Sequence, residues 1–195
     1  MESRAKVLGH AAHPILVVFP LGLLVTAVLF DILYLVTDTT RWTEMAFYLI
    51  GAGLIGGAAA AIPGWIDWLA IPGGTRAKRI GLLHGIGNVI LLGLFALSWL
   101  LRQDQPAAPP TEAIVAALAG AGLGGLTGWL GGELVNRLGV GVDDGAHLDA
   151  PSSLSELPAG AAAGRAKYRY MGRERRRVPP PVYAGVERRM HAARG

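Results

Sequence analysis

His10, His13, Asp67, His84, Asn88, Glu133 and Asn136 stand in a chain that is 52% hydrophobic and only 16% charged, and they are the side chains whose types and spacing suit chemistry. Neutral imidazole is the commonest metal ligand, and a carboxylate can complete such a site or fix the imidazole tautomer from behind. His10 and His13 lie three apart, His84 and Asn88 four apart, and Glu133 and Asn136 three apart. On a helix each pair shares a face. A non-haem metal would draw on His10, His13, Asp67, His84 and Glu133, with Asn88 and Asn136 supporting. For haem b, His13 and His84 form the better axial pair, because they come from different helices at similar depth.

Three readings of these residues compete. One is a hydrogen-bonded network that locks helix ends together, since buried polar groups are usually satisfied rather than catalytic. The second is a haem or metal site. The third is a proton or ion relay, because His and carboxylates inside a bundle are what relays use. No spacing among them is a metalloenzyme signature. The chain has no cysteine, which excludes disulfides, thiolate metal sites and a cysteine-ligated iron–sulfur cluster.

Four apolar stretches must position these residues: 14–36, 46–65, 80–101 and 114–135. Each approaches the roughly 20 residues that a helix needs to cross about 30 Å of hydrocarbon. Arg4 and Lys6 precede the first stretch as in a secretory signal, but the run lacks a small-residue exit and reads as a retained span. Short links make successive helices antiparallel neighbours. Arg4, Lys6, Arg76, Lys78, Arg79 and Arg137 fall on one side of the spans, and only Arg41 and Arg102 on the other. The positive-inside rule then puts both termini in the cytoplasm, in an inner membrane, with the polar residues above at the cytoplasmic mouth.

Small residues mark where backbones approach in lipid. Gly120, Gly124, Gly128 and Gly132 form a ladder at four-residue spacing. Gly53, Gly57 and Ala61 on the second span and Gly81 with Gly85 on the third extend the pattern. Pro20 is expected to bend the first span. Trp65, Trp68 and Trp129 suit interfacial anchoring. Asp31, near the outer end of the first span, is expected to reach the outer interface or to pair with Arg41. No internal repeat is evident, which counts against a transporter.

The net charge of +4 hides an asymmetry: ten of the eighteen Lys and Arg lie beyond Gly164. Residues 146–195, rich in Ser, Ala, Gly and Pro before this basic run, read as a disordered cytoplasmic tail. Such a cluster attracts anionic lipid or docks a partner, with no specific nucleic-acid recognition.

The set Gly9-His10-Ala11-Ala12-His13-Pro14, Phe19-Pro20-Leu21-Gly22, Phe30-Asp31, Gly64-Trp65-Ile66-Asp67-Trp68, His84 with Asn88, and Gly131-Gly132-Glu133-Leu134-Val135 running into Gly139-Val140-Gly141-Val142 resembles the bacterial membrane family catalogued as domain of unknown function 2231. The resemblance covers roughly the first 145 residues. It implies a four-helix membrane domain, in some relatives joined to a Rieske-type iron–sulfur domain or to cytochrome-like partners, and hence redox surroundings. Many relatives carry a further His just before the Phe-Pro pair, where this chain has Val18, so no ligand role passes to that position. With no cysteine in the tail, an iron–sulfur partner would be a separate protein.

The sequence therefore predicts an all-α, integral-membrane, four-helix antiparallel bundle over residues 1–145 with a disordered basic tail. The expected function is that of a redox-associated membrane subunit holding haem b or a non-haem metal, not an enzyme by itself. Its partners would be the lipid bilayer and a separate iron–sulfur or cytochrome-type protein. The rival expectation is a structural anchor or adapter whose polar layer is a packing network and whose tail docks a partner or anionic lipid. Oligomeric state and substrate are not legible.

Overall fold

The computed structural model describes residues 1–155 and 157–161; the basic run of the tail lies outside the described residues. The chain divides into two compact units after Asp144. In the first, a short antiparallel pair, β1 (Lys6–Val7) and β2 (His10–Ala11), leads into four helices: α1 (Ala12–Thr37), α2 (Arg41–Ala70), α3 (Arg76–Leu101) and α4 (Thr111–Gly132). A π turn, Glu133–Arg137, prolongs α4. In the second unit the described residues form only turns and bends, such as Ala150 N–H to His147 O and Ala161 N–H to Pro158 O.

All four helices are long and apolar enough to cross a membrane. The reason for each boundary is local. α1 ends where Asp38 turns left-handed (φ 53°) and returns its N–H to Tyr34 O at 2.8 Å. Thr75 caps α3 by accepting the Lys78 N–H at 3.1 Å, after Gly74 has made the turn at φ +76°. α4 starts after Pro109 and Pro110, which preset an extended entry. α2 runs from Arg41 to Ala70, well beyond the apolar stretch 46–65, because its polar ends continue the helix outside the hydrocarbon. Thirty residues amount to about 45 Å of helix, more than a bilayer core is thick.

α1 packs along α2 and α3 along α4. The two hairpins meet through α2 with α3 and, more sparsely, α1 with α4, so α1 and α3 are diagonal partners. Leu24, Ala27, Val28, Ala46, Ile50, Phe95 and Ala117 form the buried centre. Elsewhere large apolar side chains such as Val18, Phe19, Ile55, Ile62 and Leu126 face outward, the inside-out pattern of a protein whose solvent is lipid.

The glycine ladder on α4 contacts its neighbours only in part. A Cβ on Gly120 would sit 2.9 Å from the Phe95 ring, and one on Gly124 3.2 Å from Leu91, but one on Gly128 would meet nothing. Four residues overshoot one helical turn by about 40°, so a strict four-residue ladder drifts off its own contact face. The real stripe alternates steps of four and three: Ala113, Ala117, Gly120, Gly124, Thr127 and Gly131. On α2 the drift likewise moves contact from Ala61 to the buried Ala60. Gly120→Leu is therefore expected to cost roughly 1–3 kcal/mol or more by overpacking, while Gly128→Leu stays near wild type. Thermal unfolding of the two variants in detergent checks this.

Candidate functional site

His13 begins α1 just before Pro14, and His84 lies two turns into α3; both are half-buried. Their rings meet across the diagonal of the bundle, with centroids 6.4 Å apart and planes at 86°. His13 Nδ1 lies 2.8 Å from Ala60 O on α2, and His84 Nδ1 lies 2.9 Å from Thr127 O on α4. A carbonyl oxygen only accepts, so in each ring Nδ1 carries a proton, and in the neutral imidazole Nε2 then keeps its lone pair. Both carbonyls are reachable because a glycine follows one turn later. A Cβ on Gly64 would sit 2.9 Å from His13 Nδ1, and one on Gly131 3.2 Å from His84 Cε1. Asn88 closes the cluster, donating to His84 O at 2.8 Å with the same amide nitrogen 3.2 Å from His84 Nε2. That contact fits an unprotonated Nε2.

The remaining candidates are occupied elsewhere. Asp67 accepts from Ser3 Oγ at 2.7 and 2.9 Å, from Arg4 N–H at 2.7 Å and from Ala5 N–H at 3.2 Å. It thereby anchors the N-terminal strap. The strap is held further by the Met1 ammonium on Gly139 O and by Lys6 between Glu2 and Asp143. The Asp143 and Glu2 carboxylates raise the Lys6 pKa, and Lys6 in turn lowers that of Glu2. The Glu2 contribution is thus present at neutral pH and lost as pH falls through its lowered value, and the Lys6 contribution persists until pH rises above the ordinary lysine range.

Glu133 pairs with Arg76 at 2.7 Å. His10 is exposed in β2, with Nδ1 3.2 Å from Leu8 O; the helix starts only at Ala12, so His10 and His13 do not share a helical face. Asn136 is exposed in the π turn, 3.8 Å from where a Gly132 Cβ would lie. Among the described residues no group of three or more His, Asp or Glu gathers as a metal cage. Of the tryptophans, Trp65 and Trp129 are exposed, and Trp68 carries Lys78 Nζ 4.0 Å above its ring.

Asp31 overturns its expectation. It pairs not with Arg41 but with Arg102, through two bonds of 2.7 and 2.6 Å, with both residues fully buried. Arg102 Nε also donates to Ser98 Oγ at 3.2 Å, and that hydroxyl donates to Ala113 O at 2.6 Å. Arg41 is exposed at the start of α2. By sequence Arg102 ends an apolar run and counts among the loop cations. Its intramembrane partner 71 residues away left no local signal.

Four spans, a lipid-facing apolar surface and paired polar groups on a diagonal define a polytopic integral-membrane protein of the four-helix class. Residues 9–144 match the family described as predicted membrane protein, domain of unknown function 2231, and the chain belongs to that family. Neither a curated protein nor a solved structure matches the chain.

Proposed function

We propose that the chain is a redox-associated membrane subunit in which His13 and His84 would hold a b-type haem. The observation that carries this is the pair of Nδ1–carbonyl bonds, which orient two imidazoles and leave Nε2 of each ring as the donor, that of His84 once Asn88 turns aside. Two imidazoles complete the protein's share of a haem iron but fall short of the three or four side chains that a non-haem site takes. With Asp67 and Glu133 engaged by the strap and by Arg76, the donor count favours haem. Asn88 is the group that must turn aside from His84 Nε2. A haem iron bound there would supply one-electron transfer, with His13 and His84 as its ligands and the Ala60 and Thr127 carbonyls orienting the two rings.

The test is iron analysis and an absorption spectrum of the full-length protein purified in detergent from haem-replete cells. Stoichiometric iron with a Soret band is expected. Iron-free protein would leave the His pair as a packing network.

The Lys and Arg asymmetry supports an inner-membrane location with the His pair toward the cytoplasm. Reporter fusions after Asp38 and Gln105 should report the outside, and fusions after Gly74 and Ala150 the inside. The reverse pattern would put the His pair at the outer face. The bundle as one domain with a basic tail that touches anionic lipid, and a separate iron–sulfur or cytochrome-type partner, complete the proposal.

A further inference from the structure

Positions that carry different residue types recur at fixed offsets between the two hairpins. The same 71 residues separate His13 from His84 and Asp31 from Arg102. At that offset Leu24 maps onto Phe95, both in the core, and the fully buried Ala27 onto the fully buried Ser98. The partner helices repeat at 67 residues: Ala60, whose carbonyl takes His13, maps onto Thr127, whose carbonyl takes His84. Gly64 and Gly131, which abut the two rings, map onto each other. Gly53, whose Cβ would strike Leu24 at 2.6 Å, maps onto Gly120, whose Cβ would strike Phe95 at 2.9 Å. Ala46 with Ala113 and Ile50 with Ala117, all fully buried, continue the match. Contacts, and not only positions, coincide between the hairpins.

We infer that the chain is two copies of one helical-hairpin module related by a pseudo-twofold axis, and that Asp31 and Arg102, equivalent residues meeting on that axis, are positioning residues for the His13–His84 pair. On α1, and from α3 to its C-cap Arg102, the ion-pair residue follows the His by 18 residues. That is five helical turns, so ion and imidazole share one face about 27 Å apart, near the thickness of the hydrocarbon core. The diagonal helices are thus joined at both ends and separated between them by the core around Leu24 and Phe95. The bidentate strut fixes the separation and rotation of α1 and α3 at one end, and the packed core between them carries that setting to the other. Chemical difference at equivalent positions, Asp against Arg, also makes the two hairpins complementary instead of identical, which favours pairing within the chain over pairing of like hairpins from two chains. None of this depends on what the His pair binds.

The absence of cysteine makes the test direct. In full-length His13→Cys/His84→Cys protein, cross-linking by the shortest bifunctional methanethiosulfonate reports how closely these positions approach. Adding Asp31→Leu/Arg102→Met removes the strut without leaving an orphan charge. This variant is expected to stay folded by circular dichroism and to cross-link several-fold more slowly. The equivalence is tested by transplanting the cluster: Asp31→Arg, Arg102→Asp, Ala27→Ser and Ser98→Ala together place the hydroxyl opposite Ala46 O as Ser98 now faces Ala113 O. The fourfold variant should recover the melting temperature that Asp31→Arg alone loses, and the cross-linking rate with it. An unchanged rate in the neutral pair would overturn the positioning role. A transplant no more stable than Asp31→Arg would overturn the equivalence.

Discussion

Asp31→Asn is expected to cost about 3–5 kcal/mol of stability in detergent, and Arg102→Met a similar amount, because each leaves the opposite charge buried without its partner. Both side chains are fully buried and share two short bonds, so no water replaces what is lost. Arg102 would keep its bond to Ser98, which blunts the first variant slightly. Replacing both residues by apolar ones of similar volume should cost far less, since the desolvation of two charges disappears together with their attraction. A double-mutant cycle from reversible unfolding measures the difference. If the single variants melt with the wild type, the pair contributes nothing in the membrane-mimetic environment, and the strut has to be abandoned.

The second large effect falls at the other end of the diagonal. His13→Ala and His84→Ala should each lower bound haem iron and turn the spectrum of what remains from low-spin to high-spin, since either change leaves the iron a single imidazole. Asp67→Asn should loosen the N-terminal strap and leave the absorption spectrum intact, because the Asp67 carboxylate is bonded to Ser3, Arg4 and Ala5 and not to either ring. Optical spectra of the three purified variants at matched protein concentration separate these outcomes. An Asp67→Asn protein that loses haem while it keeps its fold would place the carboxylate back in the site.

Helix number and approximate spans were legible because hydropathy over 20 residues is a bulk property, indifferent to which neighbour a residue meets. The depth argument placed His13 opposite His84, and the rings are 6.4 Å apart. What escaped the sequence was partner choice. The sequence points Asp31 to the outer interface or to Arg41, ten residues on, whereas Arg102 reaches it across the bundle. Asp67 and Glu133 were grouped with the imidazoles by depth alone, and nothing in the chain announced that Ser3 and Arg76 would take them. His10 was put on α1 because the apolar run and Pro14 mark a helix start without saying on which side of His10 it falls. The repeat was hidden twice over. Equivalent residues differ in chemistry, Asp with Arg, Leu with Phe, Ile with Ala, and the offset shifts from 71 to 67 between the two helices of each hairpin, so no single period aligns them.

The central claim is that two imidazoles, held by Ala60 O and Thr127 O, ligate one haem iron, and the electron paramagnetic resonance spectrum of the oxidised full-length protein at low temperature tests it most directly. Ligation by both imidazoles predicts a low-spin ferric signal. A high-spin ferric signal, or protein without iron, would contradict it.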